Sequence, residues 1–283
     1  DAALTTTELS IGALDDSTGT ATFSSGASVD VSGTLTVGGL VTFDNGSRTA
    51  HTGSGSLTID GADVQVGTLR ASRGALSSLT FDSGTLAVAN NLEIDTGNTF
   101  VVGGNGDAEV LDLDMQNSSP ATGGDAIFRD GVELGAGGVV NLNGAQLTST
   151  AIVDSGGTIN WDAGSVVLTE SGLTVGQNAL FGASVGLGGA SAKDRLTLSD
   201  ATLGVLTIDG AQMIDPEAPG GSVTLSTGGS LTVAGIDQQN GGSFDWQGGD
   251  LALTNSGLTV EEGGLIGETV VLDGTRSLSV SGT

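Results

Sequence analysis

Apolar and polar residues alternate along this chain in very short runs, as in Leu35-Thr36-Val37, Leu57-Thr58-Ile59 and Leu196-Thr197-Leu198. A period of two belongs to a strand with one face turned inward and the other outward. No stretch places apolar residues at i, i+3, i+4 and i+7 without an intervening glycine, so helix is not expected. Threonine takes the outward positions, where a β-branched side chain suits a solvated sheet face. On this reading Leu35, Val37, Leu57, Ile59, Leu173, Val175, Leu258 and Val260 point inward, and the threonines between them point outward. Gly, Asn, Asp and Ser separate the runs. Glycine reaches positive φ without steric cost, and Asn and Asp come next, so these residues mark sharp corners. DNG at 44–46, DSG at 82–84, DSGG at 154–157 and DGT at 273–275 are such corners.

The pattern repeats on a larger scale. GGTINWDAGSVVLTESGLTV at 156–175 and GGSFDWQGGDLALTNSGLTV at 241–260 align without a gap and are identical at more than half of their positions. A weaker copy, LTFDSGTLAVANNLEI at 79–94, puts Phe81 where Trp161 and Trp246 stand. A fourth begins near Phe23. A second phrase recurs as LTIDGADV at 57–64, VNLNGAQL at 140–147 and LTIDGAQM at 206–213. Apolar triplets taken in threes give rungs of about 20–22 residues, too small to bury their own apolar faces, so each must stack on its neighbours. About a dozen rungs at a strand spacing of about 4.8 Å would make a rod of roughly 60 Å. Crossovers between parallel strands are right-handed almost without exception, so a right-handed coil is expected. Three segments break the rhythm and are expected to bulge as loops: 115–126, 188–195 and 214–221. They hold all three prolines and the only lysine, Lys193.

Composition narrows the picture. The 50 glycines among 283 residues would suit a disordered chain, but Leu, Val and Ile recur throughout, so the chain is folded. Aromatic residues are 3% of the total, too few to anchor a sandwich core but adequate where facing sheets lie about 10 Å apart. The net charge of −26, from 33 acids against 7 bases, repels nucleic acid and anionic membranes. No run of 18 apolar residues is present, so no membrane insertion is expected. The absence of cysteine fits an extracellular repeat protein stabilised by stacking.

Gly/Asn/Asp corners, LTV and LTI triplets, no cysteine and an acidic, lysine-poor balance together resemble the β-helical repeats of bacterial secreted and cell-surface proteins, the autotransporter passengers and filamentous-haemagglutinin-like adhesins. The resemblance spans the whole chain and is one of composition and period. It implies secretion, an elongated rod, and a role in adhesion, surface coating or filament building. It carries over no functional residue.

Candidate chemistry is sparse. Parallel β-helices include polysaccharide lyases and hydrolases, whose sites combine acids with Arg, Lys, His or Tyr. Here there is one His, one Lys and no Tyr, and His51 lies in a polar turn. No catalytic or cofactor-binding residue is identified, and the chain is read as no enzyme. No cofactor is expected, and calcium is the one ligand with which the acidic composition is compatible. GGNGDAEVLDLD at 103–114 weakly resembles the glycine-rich calcium nonapeptide, and Asp112 and Asp114, alternating with Leu111 and Leu113, are its candidate metal ligands. A solvated acidic face is the simpler reading of the same pair. Trp161 and Trp246, two residues after Ile159 and Phe244, are expected in the core; were they exposed, they would suit stacking on sugar rings. Asn45 and Asn117 stand in glycosylation sequons, at a frequency that chance gives in a Ser/Thr-rich chain.

The expected fold is therefore all-β, a right-handed parallel β-helix (β-solenoid), forming one elongated domain over 1–283 as a mature form or a piece of a longer chain. Its expected role is that of a structural rod or filament at the cell surface or outside the cell. Its expected partners are further copies of itself, because neither end of the pattern carries a helix, proline or lysine to cap it. The alternative is an adhesin or tail-fibre module that recognises a glycan or protein through its loops.

Overall fold

The computed structural model describes the chain apart from residues 1, 15, 40, 45–46, 51–52, 72–77, 95–99, 103–108, 115–124, 129–130, 137, 178, 190, 210–219, 259–263, 267–268, 270–271, 273 and 282–283, and apart from the side chains of 41–44, 47–50, 109, 112, 114, 125, 192 and 194. It is all-β, and its described sheets are parallel except for one hairpin. Residue contacts group the chain into two units, Asp1–Asn160 and Trp161–Thr283.

Unit 1 opens with β1 (Ala3–Ile11), β2 (Thr18–Ser24) and β3 (Ser28–Val37), followed by the antiparallel hairpin β4 (Val41–Asp44) and β5 (Ser47–Ala50). Two long strands follow, β6 (Ser54–Ala71) and β7 (Ser78–Ile94). Then come β8 (Phe100–Val102), β9 (Glu109–Asp114), β10 (Asp125–Phe128), β11 (Val132–Gly135), β12 (Gly138–Asn143), β13 (Gln146–Ser149) and β14 (Ile152–Ser155). The last, β15 (Thr158–Trp161), runs up to the boundary. Inward residues stack in register from strand to strand: Val29, Val64, Leu86, Leu111 and Val140 form one continuous aliphatic column, and none is more than 3% exposed. A fully buried Val or Leu contributes about 1.5–3 kcal/mol, so columns like this one hold the strands together. Outward residues form matching polar rows. Ser56 and Ser78, 22 residues apart, share a hydrogen bond of 2.9 Å, and Asn160 donates to Asn141, 19 residues away, at 2.8 Å. These separations bracket the repeat length read from the triplets.

Unit 2 contains β16 (Ala163–Leu168), β17 (Leu173–Gly176), β18 (Ser184–Leu187), β19 (Ala192–Leu198), β20 (Val205–Asp209) and β21 (Ser222–Leu225). It continues with β22 (Ser230–Val233), β23 (Gly235–Gln239), β24 (Ser243–Trp246), β25 (Gly249–Leu253) and β26 (Arg276–Val280). Three parallel ladders run side by side: β17-β20-β23, β18-β21-β24 and β16-β19-β22-β25-β26. Leu196, Leu231, Leu251 and Leu278 occupy one inward column.

The first two copies of the second recurrent phrase, LTIDGADV and VNLNGAQL, turn at their glycine. Gly61 and Gly144 both hold positive φ, +75° and +86°, and the alanine after each, Ala62 and Ala145, is buried. Of the four corners anticipated from sequence, the glycines of three, Gly84, Gly156 and Gly274, also sit at positive φ; the fourth, at 44–46, lies partly outside the described residues.

Some expectations need correction. Corners do not always end strands: β6 and β7 run through theirs, with register shifts at Asp60/Ala62 and Val66/Thr68, because a bulge at glycine bends the chain while hydrogen bonding continues. The expected loop at 188–195 is only a tight turn, closed by Ser191 N–H donating to Gly188 O at 3.0 Å and by positive φ at Gly188 and Gly189. From Ala192 the chain is already β19, and a bulge accommodates the extra residue between Lys193 and Arg195. The loops expected at 115–126 and 214–221 lie mostly outside the described residues. Six of the eight residues expected to point inward are buried: Leu35, Val37, Leu57, Ile59, Leu173 and Val175. Leu258 is half-buried and off any strand; its counterpart Leu173 is held by pairing with Leu206, and no such pairing is present for Leu258 among the described residues. Val260 lies outside them. Thr36 does not point into solvent: it is 4% exposed, since both faces of β3 are covered where Leu35 to Gly39 are all buried.

Candidate functional site

The two tryptophans define the best-formed local structure. Trp161 ends β15 and Trp246 ends β24, each on a strand with the same alternation of exposed and buried residues. Their exposures are 6% and 8%. Each indole Nε1–H donates to the carbonyl of the glycine three residues on, Gly164 or Gly249, at 3.4 Å, and both glycines have positive φ, +89° and +83°. The buried polar atom of each ring is thereby satisfied by the corner it packs against. Neither ring offers the flat exposed face that stacking on a sugar needs.

Beyond this shared corner the copies differ. Trp161 meets Phe181 edge to face, centroids 5.7 Å apart. Trp246 is covered instead by Arg276, whose guanidinium lies 5.8 Å from the ring centroid and donates from Nε and Nη2 to Trp246 O at 3.3 and 3.1 Å. Beside it opens a cleft of about 470 Å³, lined by Gln238, Ser243, Asp245, Leu265 and Thr269 among others. Around it, acids pair with amides: Gln247 donates to Asp245 at 2.7 Å, and Gln239 donates to Asp237 at 2.6 Å. Sequence reasoning missed this cleft, because Arg276 lies outside the repeated phrase and nothing local ties it to Trp246.

Asp112 and Asp114 lie on β9, alternating with buried Leu111 and Leu113; their side chains are outside the described set. Register places Asn141 beside Asp112 and Asn143 beside Asp114, with Ala87 on the other side of Asp112. Among the described residues no group of three His, Cys, Asp or Glu is placed to hold a metal. His51, Asn45 and Asn117 lie outside the described residues.

One carboxyl is shifted by its surroundings. Backbone N–H groups of Leu203 and then Thr202 donate to Asp200 Oδ1 and hold its pKa below the ordinary value. A depressed pKa means that the turn gains support above the usual carboxylate range, near pH 3.9, and loses it as pH falls through the lowered value. In a carboxyl-carbon NMR titration, Asp200 is expected to titrate at lower pH than an unstructured aspartate. The Leu203 and Thr202 amides should exchange faster in Asp200→Ala. An ordinary titration curve, or unchanged exchange, would refute this account of the turn.

Comparison with protein-family models, curated proteins and solved structures finds no match.

Proposed function

We propose that this chain is a right-handed parallel β-helix that works outside the cell as a structural rod, associates with further copies of itself, and carries out no catalytic step. The observation that carries the reading is the state of the core in the outermost strands. Leu4 of β1 is 39% exposed, while Val29, its neighbour in register on β3, is 3% exposed. Val280 of β26 is 41% exposed, while its neighbour Leu253 is 1% exposed. Inward columns that are dry within each unit become wet at these strands, and another copy, or further chain, stacked on them would bury them. Parallel ladders at a steady spacing and an interior of aliphatic columns support the same reading. The strong negative charge keeps such a protein soluble and opposes association at low salt.

Static light scattering of the purified chain across NaCl concentration, with electron micrographs of the same samples, tests the reading. Mass should grow with salt, since the Debye length falls to about 8 Å at physiological strength, and fibres should appear. A monomer at every salt concentration would overturn it.

The cleft beside Trp246 favours a second reading, a module that binds a glycan or protein. The buried tryptophan ring weighs against glycan stacking there. Saturable binding on a glycan array, lost in Asp245→Ala, would favour this alternative.

A further inference from the structure

β23 and β24 are joined by an exposed corner built on Asn240 and Gly241. Their φ values are +50° and +82°, as at the two central residues of a type I′ turn, and Gly242 N–H closes the turn on Gln239 O at 2.8 Å. Nothing lies within 4 Å of where a Gly241 Cβ would stand, and among the described residues Gly241 N–H makes no backbone hydrogen bond. We infer that Asn240 is a site of spontaneous, backbone-assisted deamidation in the folded chain. Gly241 N attacks Asn240 Cγ. A bond forms between them, the Cγ–Nδ2 bond breaks, and ammonia leaves with the proton that Gly241 N gives up. Water then opens the five-membered imide at either carbonyl and returns an aspartate or an isoaspartate. The reaction needs no second copy, so it is independent of the self-association proposed above.

The attack requires Asn240 to rotate out of its left-handed conformation, and little resists that rotation. One turn-closing hydrogen bond opposes it, together with the bond from Asn240 Nδ2 to Asp209 Oδ1 at 2.8 Å; each such bond has a net worth of about 1 kcal/mol. The left-handed conformation is itself a strained one for a residue with a Cβ. Asn143-Gly144 has the same sequence, but Asn143 ends β12 in register with Asp114 and is followed closely by buried Ala145. The same rotation there would break into a ladder. In the gapless alignment of the two long copies the position of Asn240 falls on Ser155, which has no amide to lose. Conversion at Asn240 turns the donor to Asp209 into a carboxylate facing a carboxylate, and like charges in contact repel. An isoaspartate also lengthens the backbone of a turn that has only two central residues. Both products loosen the joint between β23 and β24.

The purified chain, held at neutral pH in native buffer and in urea, is mapped over time by proteolysis and mass spectrometry. In native buffer the mass gain of amide to acid should accumulate at Asn240 at about ten times the rate at Asn143 or faster, and the difference should collapse in urea, where neither turn is formed. The Asn-Gly pairs at 45–46 and 105–106, outside the described residues, are read separately in the same map. Asn240→Ser should abolish the acidic product and Gly241→Ala should slow its formation. Aged wild-type protein should exchange the Gly242 amide faster than Asn240→Ser protein stored alike. Equal rates at Asn240 and Asn143 in the folded chain, or a selectivity that persists in urea, would overturn the inference, and neither comparison depends on a variant folding. Unchanged exchange at Gly242 after conversion would overturn the loosening of the corner.

Discussion

Gly249→Ala should lose about 3 kcal/mol or more of stability, combining a left-handed backbone penalty with overpacking. Gly249 holds φ at +83°, where an L side chain is strained. A Cβ there would also stand 2.5 Å from the carbonyl oxygens of both Gly229 and Ser226. Those are backbone atoms of the adjacent level and cannot swing aside as a side-chain tip would. The same residue accepts the Trp246 indole hydrogen bond, and its own N–H donates to Thr275 O at 2.7 Å, so a shift of the corner would disturb the ring and the approach to β26 together. Gly241→Ala is the control. Gly241 has nearly the same φ, +82°, but nothing lies within 4 Å of the added carbon, so it should lose only about 1 kcal/mol. Urea melts followed by circular dichroism measure both. Equal losses would show that close approach of the backbone contributes nothing at Gly249.

Trp161→Ala should be comparably damaging, at about 3–5 kcal/mol for emptying an aromatic site in a packed core. It removes a buried ring, its hydrogen bond to Gly164 and its edge contact with Phe181. Nearest-neighbour stacking confines such damage, so hydrogen exchange should rise first in β16 and around Phe181 and reach β25 later. The chain has only two tryptophans, so the variant also isolates the emission of Trp246, which should be blue-shifted as befits a buried indole. A loss below about 1 kcal/mol, in the range of a surface substitution, would mean that the ring is not a core anchor.

Much of the fold was legible because each level repeats one local pattern. Period-two alternation located the buried residues of β6 and β17, and the recurrence of LTIDGADV as VNLNGAQL pointed to equivalent positions, where a glycine at positive φ and a buried alanine do the same job at 61–62 and 144–145. The long copies placed both tryptophans in the core. What escaped depends on partners distant in sequence. Glycine at 61 or 67 reads as a break, yet the neighbouring strand keeps β6 continuous through both. Residues 192–195 read as loop because they are polar and hold Lys193, but pairing with β16 makes them strand. Thr36 matches every outward threonine in its immediate surroundings, and only the packing around it reveals that it is buried. Asp112 and Asp114 show the limit for the candidate metal site. Their spacing suggested a pair of ligands, and only the register disclosed that their neighbours on β12 are asparagines. The Arg276 contact had no signal in sequence, since the two residues are 30 apart and share no motif.

The shared construction of the two tryptophan corners also bears on how this chain can change over evolutionary time. Each ring is held by its own strand and by a glycine three residues ahead, so the corner brings its own support with it. Unequal recombination between the two copies would splice one corner onto the sequel of the other, removing or inserting a whole block while every surviving strand keeps a neighbour of the same period. Lineages can therefore lengthen or shorten such a chain in one genetic step, whereas a single residue inserted within a strand has to be absorbed by a bulge, as between Lys193 and Arg195, or it turns the side chains beyond it to the wrong face.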